Sequence, residues 1–177
     1  MGQTFAGKPF ETIAELAKLA LANPAAARET FKVSAEYGNV PHGHLDIERT
    51  GGVGSIDEVG PLAYEDLLIG AIRCVGTDYL DYCAANGVDV DAVRLEVEGA
   101  WDVRGIAIGL GIKVPAGVTA GWQSITVRSR VRTNAAKDKV ERANRIAWQT
   151  NVAAASLASV PTRFEVTVEP LVQVKAR

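Results

Sequence analysis

The feature that most constrains the fold is a long run of alternating apolar and polar residues, WQSITVRSRVRTN, between Trp122 and Asn134. Side chains of a β-strand point to opposite faces in turn, so the run predicts a strand with one apolar face and one charged face. The apolar face carries Ile125, Val127, Ser129 and Val131, and the polar face carries Thr126, Arg128, Arg130 and Arg132. Such a strand belongs to a sheet that is covered on one side only. We expect Glu96 and Glu98 to neutralise arginines on the open face.

Shorter runs define the remaining elements. Alternation predicts four more strands, in ETFKVSAEYG, HLDIERTG, DAVRLEVEGAWDVRG and TRFEVTVEPLVQV. Helices are predicted at Thr12–Leu21, at Tyr64–Ala85, from an Asn134 N-cap to Thr150, and briefly within NVAAASLASV. The glycine-rich segments TGGVGSIDEVGP and AIGLGIKVPAGVTAG predict loops. We expect one α+β domain over residues 1–177, in which an extra N-terminal helical segment (1–28) precedes a core (29–177).

Composition narrows the class of function. The 177 residues carry a net charge of −2 with a pI near 5.7, which gives no electrostatic reason to bind nucleic acid or an anionic membrane. No apolar run reaches the length of a membrane span. The N-terminal stretch is amphipathic and lacks the pattern of a signal peptide. Two cysteines without an export signal predict a cytoplasmic protein with reduced thiols.

Both cysteines lie in the predicted helix over Tyr64–Ala85. Cys74 and Cys83 are nine positions apart, which places them on opposite sides of a helix and about 13 Å apart along its axis. A disulfide needs Cα atoms within about 7 Å, so the two cannot pair within this helix. Cys83 is typical of a packed, buried thiol. Cys74 shares its face with Leu67 and the small residues Gly70 and Ala71 in the turns before it, and with the polar residues of the turns after it: Thr77, Asp78 and Asp81.

The order of elements, with the segments GPLAYEDLLIGAIRC, GVDVDAVRLEVEG, ITVRSRVRTN and TRFEVTVEP, resembles the OsmC/Ohr family of osmotically inducible and organic-hydroperoxide-resistance proteins. The resemblance covers residues 30–169. It implies an OsmC-like fold, with two long helices packed on antiparallel curved sheets in an intertwined homodimer whose active sites lie at the subunit interface. In the peroxidase members, a helical cysteine thiolate attacks a hydroperoxide, a second cysteine resolves the sulfenic acid, and an external dithiol reduces the protein. A glutamate and an arginine activate the first cysteine.

Carried over to this chain, the resemblance assigns Cys74 as the nucleophile. The resolving position falls near Thr150 and Asn151, so no second cysteine is present there. The activating glutamate would stand ten residues before the nucleophile, at Tyr64, with Glu65 one position later and turned to the far side of the helix from the thiol. The nearest candidate for the activating arginine is Arg49.

Two functional hypotheses follow. The first is a one-cysteine, peroxiredoxin-like organic hydroperoxide reductase that acts in oxidative stress, with Cys74, Tyr64 and Glu65 as site residues and an external thiol as reductant. The second is a protein that binds a small hydrophobic ligand, or has acquired another chemistry, in the same interfacial pocket. Both expect a homodimer and a small apolar substrate or ligand, without a cofactor, metal, nucleic acid or membrane partner. Asp78 and Asp81 lie on the same helix face as Cys74 and would disfavour a negative charge there, whereas a cation from the partner subunit would favour it.

Several other residues admit a functional interpretation. His42, His44 and Asp46 could place three metal ligands on one face of a strand, but an exposed polar turn is the better explanation for them. The glycine-rich loop lacks the Lys-Ser/Thr of a phosphate-binding loop. Trp122 and Trp148 could line an apolar pocket beside the nucleophile or simply fill the core. We expect the N-terminal helix to pack on the dimer and narrow access to its pocket.

Overall fold

A five-stranded sheet forms the centre of the computed structural model, which describes residues 3–38, 45–52 and 64–171. The strands are β3 (Arg28–Tyr37), β4 (Leu45–Thr50), β5 (Ala92–Asp102), β6 (Trp122–Arg132) and β7 (Thr162–Glu169). They lie in the order β4-β3-β5-β6-β7. The first three pairings are antiparallel, and β7 joins β6 in parallel. The chain is therefore an antiparallel-rich α+β fold, and β7 departs from a purely antiparallel arrangement.

Five helices accompany the sheet in the described part of the chain: α1 (Ile13–Ala22), α2 (Glu65–Ala85), α3 (Ile106–Gly109), α4 (Lys137–Thr150) and α5 (Val152–Ala155). The Thr12 side chain caps α1 in a reciprocal capping box with Glu15. Helix α2 ends before Gly87, whose positive φ of 65° permits the reversal. The prediction that Asn134 caps α4 is wrong. Ala136 is the N-cap, and the Asn134 Oδ1 instead accepts a hydrogen bond from the Leu171 N–H.

The two faces of the sheet differ as the alternation predicts. Helix α2 packs on the inner face of β3 and β5, and α4 packs on α2 and β7. Ile125, Val127, Ser129 and Val131 of β6 are buried on this inner face. On the outer face, the Arg128 guanidinium donates to three carboxylates on the neighbouring strands: Glu96, Glu98 and Glu165. The expected neutralisation of the outer arginines is confirmed at Arg128.

The N-terminal segment contains more than the predicted helix. A two-residue pairing of β1 (Thr4–Phe5) with β2 (Lys8–Pro9) precedes α1. Together they bury a second apolar cluster, separate from the main core, that contains Phe5, Phe10, Leu16, Ala20, Ala27 and Val103. The backbone of Gly52, just after β4, is held on both sides, because its carbonyl accepts from the Ala6 N–H and its N–H donates to the Ala26 carbonyl. The segment thus braces the end of β4.

Some predictions fall outside the described residues. These are His42 and His44, together with most of the glycine-rich loop before α2. The second glycine-rich segment is irregular as predicted, apart from the single turn of α3. No helix in the described ranges has the length and apolar character that a membrane span requires.

Candidate functional site

The two cysteines occupy opposite faces of α2, as their spacing predicts. Cys74 is exposed and Cys83 is buried, and neither forms a disulfide. Burial raises the pKa of the Cys83 thiol to about 11, so this sulfur is protonated at neutral pH and packs as an apolar group. The Cys74 face also presents Leu67, which is 53% exposed, and a half-buried Gly70. A Cβ at Gly70 would meet nothing within 4 Å, so a second surface can approach the thiol closely there.

An ion pair lies buried at the start of the same helix. Arg49 stands on the inner face of β4, opposite Phe31 of β3, and Glu65 is the first residue of α2. The Arg49 Nε donates to the Glu65 Oε1 at 2.6 Å, and its Nη2 donates to the Oε2, which makes the pairing bidentate. Each side chain is 1% exposed. Burial opposes the charge on Arg49, but the Glu65 carboxylate outweighs it and raises the pKa of Arg49.

A second buried carboxylate accompanies the pair. Glu29 is 2% exposed on the inner face of β3, directly opposite Trp101 of β5. Its Oε2 accepts a hydrogen bond from the Trp101 Nε1 at 2.7 Å and lies 3.4 Å from the Tyr64 Oη, which donates to it. Burial and the charge of Glu29 raise the pKa of Tyr64 well above its ordinary value, so its phenol remains a neutral donor.

Aromatic rings surround these charges. The Tyr64 ring lies 4.1 Å from the Trp101 ring and 5.6 Å from the Trp122 ring, measured between centroids. Trp122 covers Gly99, where a Cβ would come within 2.5 Å of the indole. The Trp122 Nε1 is buried without a hydrogen-bond partner among the described residues. Of the two tryptophans that the sequence suggested for an apolar pocket, Trp122 lies at this site, whereas Trp148 packs edge-on against Phe164.

The structure therefore separates the predicted site residues into two groups. Tyr64, Glu65 and Arg49 come together at the start of α2. Cys74 lies nine residues beyond Glu65, which corresponds to the opposite side of the helix and about 13 Å along its axis. Within one chain, the ion pair faces the sheet and the thiol faces outward. The expected turn of Glu65 away from Cys74 agrees with this arrangement.

The position predicted for a resolving cysteine also lies against α2. The Asn151 Nδ2 donates to the Asp78 Oδ2 at 2.6 Å, and Asp78 stands one turn after the thiol. Asn151 in addition caps α5 by accepting the N–H groups of Ala153 and Ala154. The residue at this position thus serves as a helix cap and a hydrogen-bond donor.

Two site residues, Glu29 and Trp101, escaped the sequence analysis. The signal for Glu29 was present, because this glutamate takes an inner-face position ahead of Phe31 and Val33 in an alternating strand. Its hydrogen-bond partner, Trp101, could not be predicted from the alternation of a single strand. The contact with Trp101 depends on the register of β3 against β5, which joins two residues that are 72 positions apart.

The fold and the site define a class of α+β protein in which a long central helix carries an exposed cysteine and begins at a buried arginine–glutamate pair. The expected OsmC-like α+β fold of the single chain is confirmed by comparison with a solved structure. An OsmC-like protein from Mycoplasma pneumoniae aligns with a TM-score of 0.50 and 11% identity, covering 78% of this chain and 96% of that one. An organic hydroperoxide resistance protein OsmC from Legionella pneumophila aligns with a TM-score of 0.47 and 13% identity, covering 77% and 96%. No family model and no curated protein matches the sequence.

Proposed function

We propose that the protein is a one-cysteine organic hydroperoxide reductase that acts as a homodimer, with Cys74 as its nucleophile. The observation that supports this proposal is the combination of an exposed thiol on α2 with a buried, bidentate Arg49–Glu65 pair at the start of the same helix. A thiolate peroxidase requires a sulfur that substrate can reach and a cation that stabilises negative charge. The OsmC-like fold agrees with this assignment.

The proposed reaction needs one protein thiol and an external dithiol. The Cys74 thiolate attacks the distal oxygen of the hydroperoxide, the O–O bond breaks, and the alcohol leaves after it takes a proton. The sulfur, now oxidised to a sulfenic acid, condenses with one thiol of the reductant to give a mixed disulfide and water. The second thiol of the reductant then displaces Cys74, so the reductant leaves as a disulfide and the protein thiol is regenerated. A reducing compartment such as the cytoplasm supplies this reductant.

The homodimer follows from the separation between the thiol and the ion pair. Because α2 directs Cys74 away from its own Arg49, we expect the cation that activates the thiol to come from a second copy. The exposed Leu67 and the open space above Gly70 lie on the same face as Cys74 and suit the approach of another protomer. We therefore place the reaction at the interface between two copies.

Hydroperoxide consumption tests the proposal. Purified protein is supplied with cumene hydroperoxide or hydrogen peroxide and excess dihydrolipoamide, and the loss of peroxide is followed with time. We expect consumption that Cys74→Ser abolishes and the matched variant Cys83→Ser retains. Trapping with dimedone should place the sulfenic acid on Cys74. If the native protein consumes neither peroxide and Cys74→Ser behaves identically, the enzymatic proposal is wrong.

A second candidate function is the binding of a small, mostly apolar ligand at the aromatic cluster of Tyr64, Trp101 and Trp122. It is favoured by the buried Trp122 Nε1, because an indole N–H that no described residue accepts can donate to a ligand oxygen. Titration with aliphatic alcohols and fatty acids, followed by tryptophan fluorescence, tests it. Saturable quenching that Trp122→Phe removes, in a protein without peroxidase activity, would favour binding over catalysis.

A further inference from the structure

Glu29 places a charged side chain at a buried, inner-face position of β3, where an apolar residue is expected. It opens the inner-face series of β3 that continues with Phe31 and Val33, and it is 2% exposed. A carboxylate in such a position destabilises the fold unless hydrogen bonds and charges compensate for its lost hydration. Its neighbours must therefore be arranged around the carboxylate.

Three of the described residues around Glu29 accommodate its carboxylate. The Trp101 indole donates to it at 2.7 Å, and the Tyr64 hydroxyl approaches it at 3.4 Å. On the other side lies Gly51, where a Cβ would collide with the Glu29 Cγ. Gly51 also adopts a φ of +133°, which disfavours any other residue. A residue without a side chain thus leaves the space that Glu29 occupies.

The connections of Glu29 lead to the ion pair. Tyr64 immediately precedes Glu65, so a hydrogen bond from its hydroxyl to β3 ties the start of α2 to the sheet. The charge of Glu29 also acts on the Arg49 guanidinium. We propose that Glu29 is the positioning residue of the Arg49–Glu65 pair. It acts through Tyr64, and its consequence for catalysis rests on the function proposed above.

The position of the pair can be followed without measuring activity. In the full-length protein, the Arg49 Nε–H donates to Glu65 and should give a protected ¹H–¹⁵N resonance, which Arg49→Lys assigns by its disappearance. We expect Glu29→Gln, which preserves size but removes the charge, to raise the exchange rate of this proton with water at least tenfold. The matched variant Glu36→Gln changes an exposed glutamate on the same strand and should have no effect. An unchanged rate in Glu29→Gln would overturn the positioning role.

Two further variants separate positioning from general destabilisation. Tyr64→Phe retains the ring and removes the hydroxyl, so we expect it to accelerate the same exchange. The double variant with Glu29→Gln should exchange no faster than the faster single variant, because both act along one connection. Fully additive effects would show that the route through Tyr64 is wrong.

Kinetics test the catalytic consequence separately. Displacement of a catalytic group by about 1 Å can reduce a rate by about two orders of magnitude. We expect Glu29→Gln to lower kcat for cumene hydroperoxide about tenfold, with little change in KM and with Glu36→Gln at the native value. If the native protein is inactive, the hydroperoxide reductase proposal is wrong, and the exchange experiment still decides whether Glu29 positions the pair. If Arg49→Lys impairs turnover and Glu29→Gln does not, the positioning role is wrong and the proposed function stands.

Discussion

Removal of the charge on Glu65 should destabilise the protein strongly, since it takes the bidentate carboxylate partner away from a buried guanidinium. Each side chain of the Arg49–Glu65 pair is 1% exposed, so water cannot replace the lost partner. Breaking such a buried pair costs about 3–5 kcal/mol. For a chain of 177 residues, each kcal/mol lowers Tm by roughly 2–4 °C. We therefore expect Glu65→Gln to lower Tm by about 6–20 °C.

Thermal and urea unfolding, followed by circular dichroism at fixed protein concentration, measure this loss. Glu48→Gln is a suitable control, because it breaks the Lys32–Glu48 pair, whose side chains are 32% and 65% exposed. An exposed pair contributes about 0–1 kcal/mol. The double variant Arg49→Met with Glu65→Leu replaces both members of the buried pair with apolar residues. Its free energy of unfolding should therefore fall by less than that of Glu65→Gln alone. If Glu65→Gln lowers the free energy of unfolding by less than about 1 kcal/mol, the expected cost of breaking the buried pair is wrong.

Three further predictions follow from other parts of the structure. At pH 8, iodoacetamide should alkylate Cys74 in the native protein and spare Cys83, whose pKa of about 11 leaves roughly one thiolate in a thousand; mass spectrometry of the native and urea-unfolded protein checks this. Gly76→Ala should destabilise the fold by about 1–3 kcal/mol, because its Cβ would collide with the Tyr37 ring. Urea unfolding should show a smaller loss of stability when the same substitution is made in a Tyr37→Leu background. Burial raises the pKa of Asp102, but hydrogen bonds from Arg104 outweigh this effect and lower the pKa overall. Its stabilising effect is therefore complete above the unfolded-state pKa near 4 and is lost as pH falls through the lower folded-state pKa, so Asp102→Asn should flatten the acid limb of the unfolding curve.

Local patterns were sufficient to predict most of the fold. The alternation in β6 identified its inner and outer faces, and the helix predicted over Tyr64–Ala85 ends at the same residue as α2. Spacing alone placed the two cysteines on opposite sides of that helix. These features depend on contacts between neighbours in sequence or on the period of a single element.

The features that escaped prediction depend on contacts between distant segments. Glu29 contacts Trp101 only because of the register of β3 against β5. Arg49 and Glu65 are separated in sequence by a segment that lies mostly outside the described residues. The parallel direction of β7 is set by the passage of the chain over the sheet rather than by the composition of the strand. Asn134 failed as an N-cap because its side chain bonds to the segment after β7. Pairing partners of this kind are decided by tertiary packing.

The order of the strands in the sheet has a consequence for how the chain folds. β3 pairs with β5 over its whole length, from Arg28 opposite Asp102 to Tyr37 opposite Val93, and the helix α2 lies between them in sequence. This central pairing must close a long loop before its hydrogen bonds can compensate for the lost chain entropy. Helix α2 and the β5–β6 pair, which are more local, can form before β3 arrives. Refolding should thus proceed with an early helical phase and a slower assembly of the sheet centre, so the buried pair at the start of α2 is completed late.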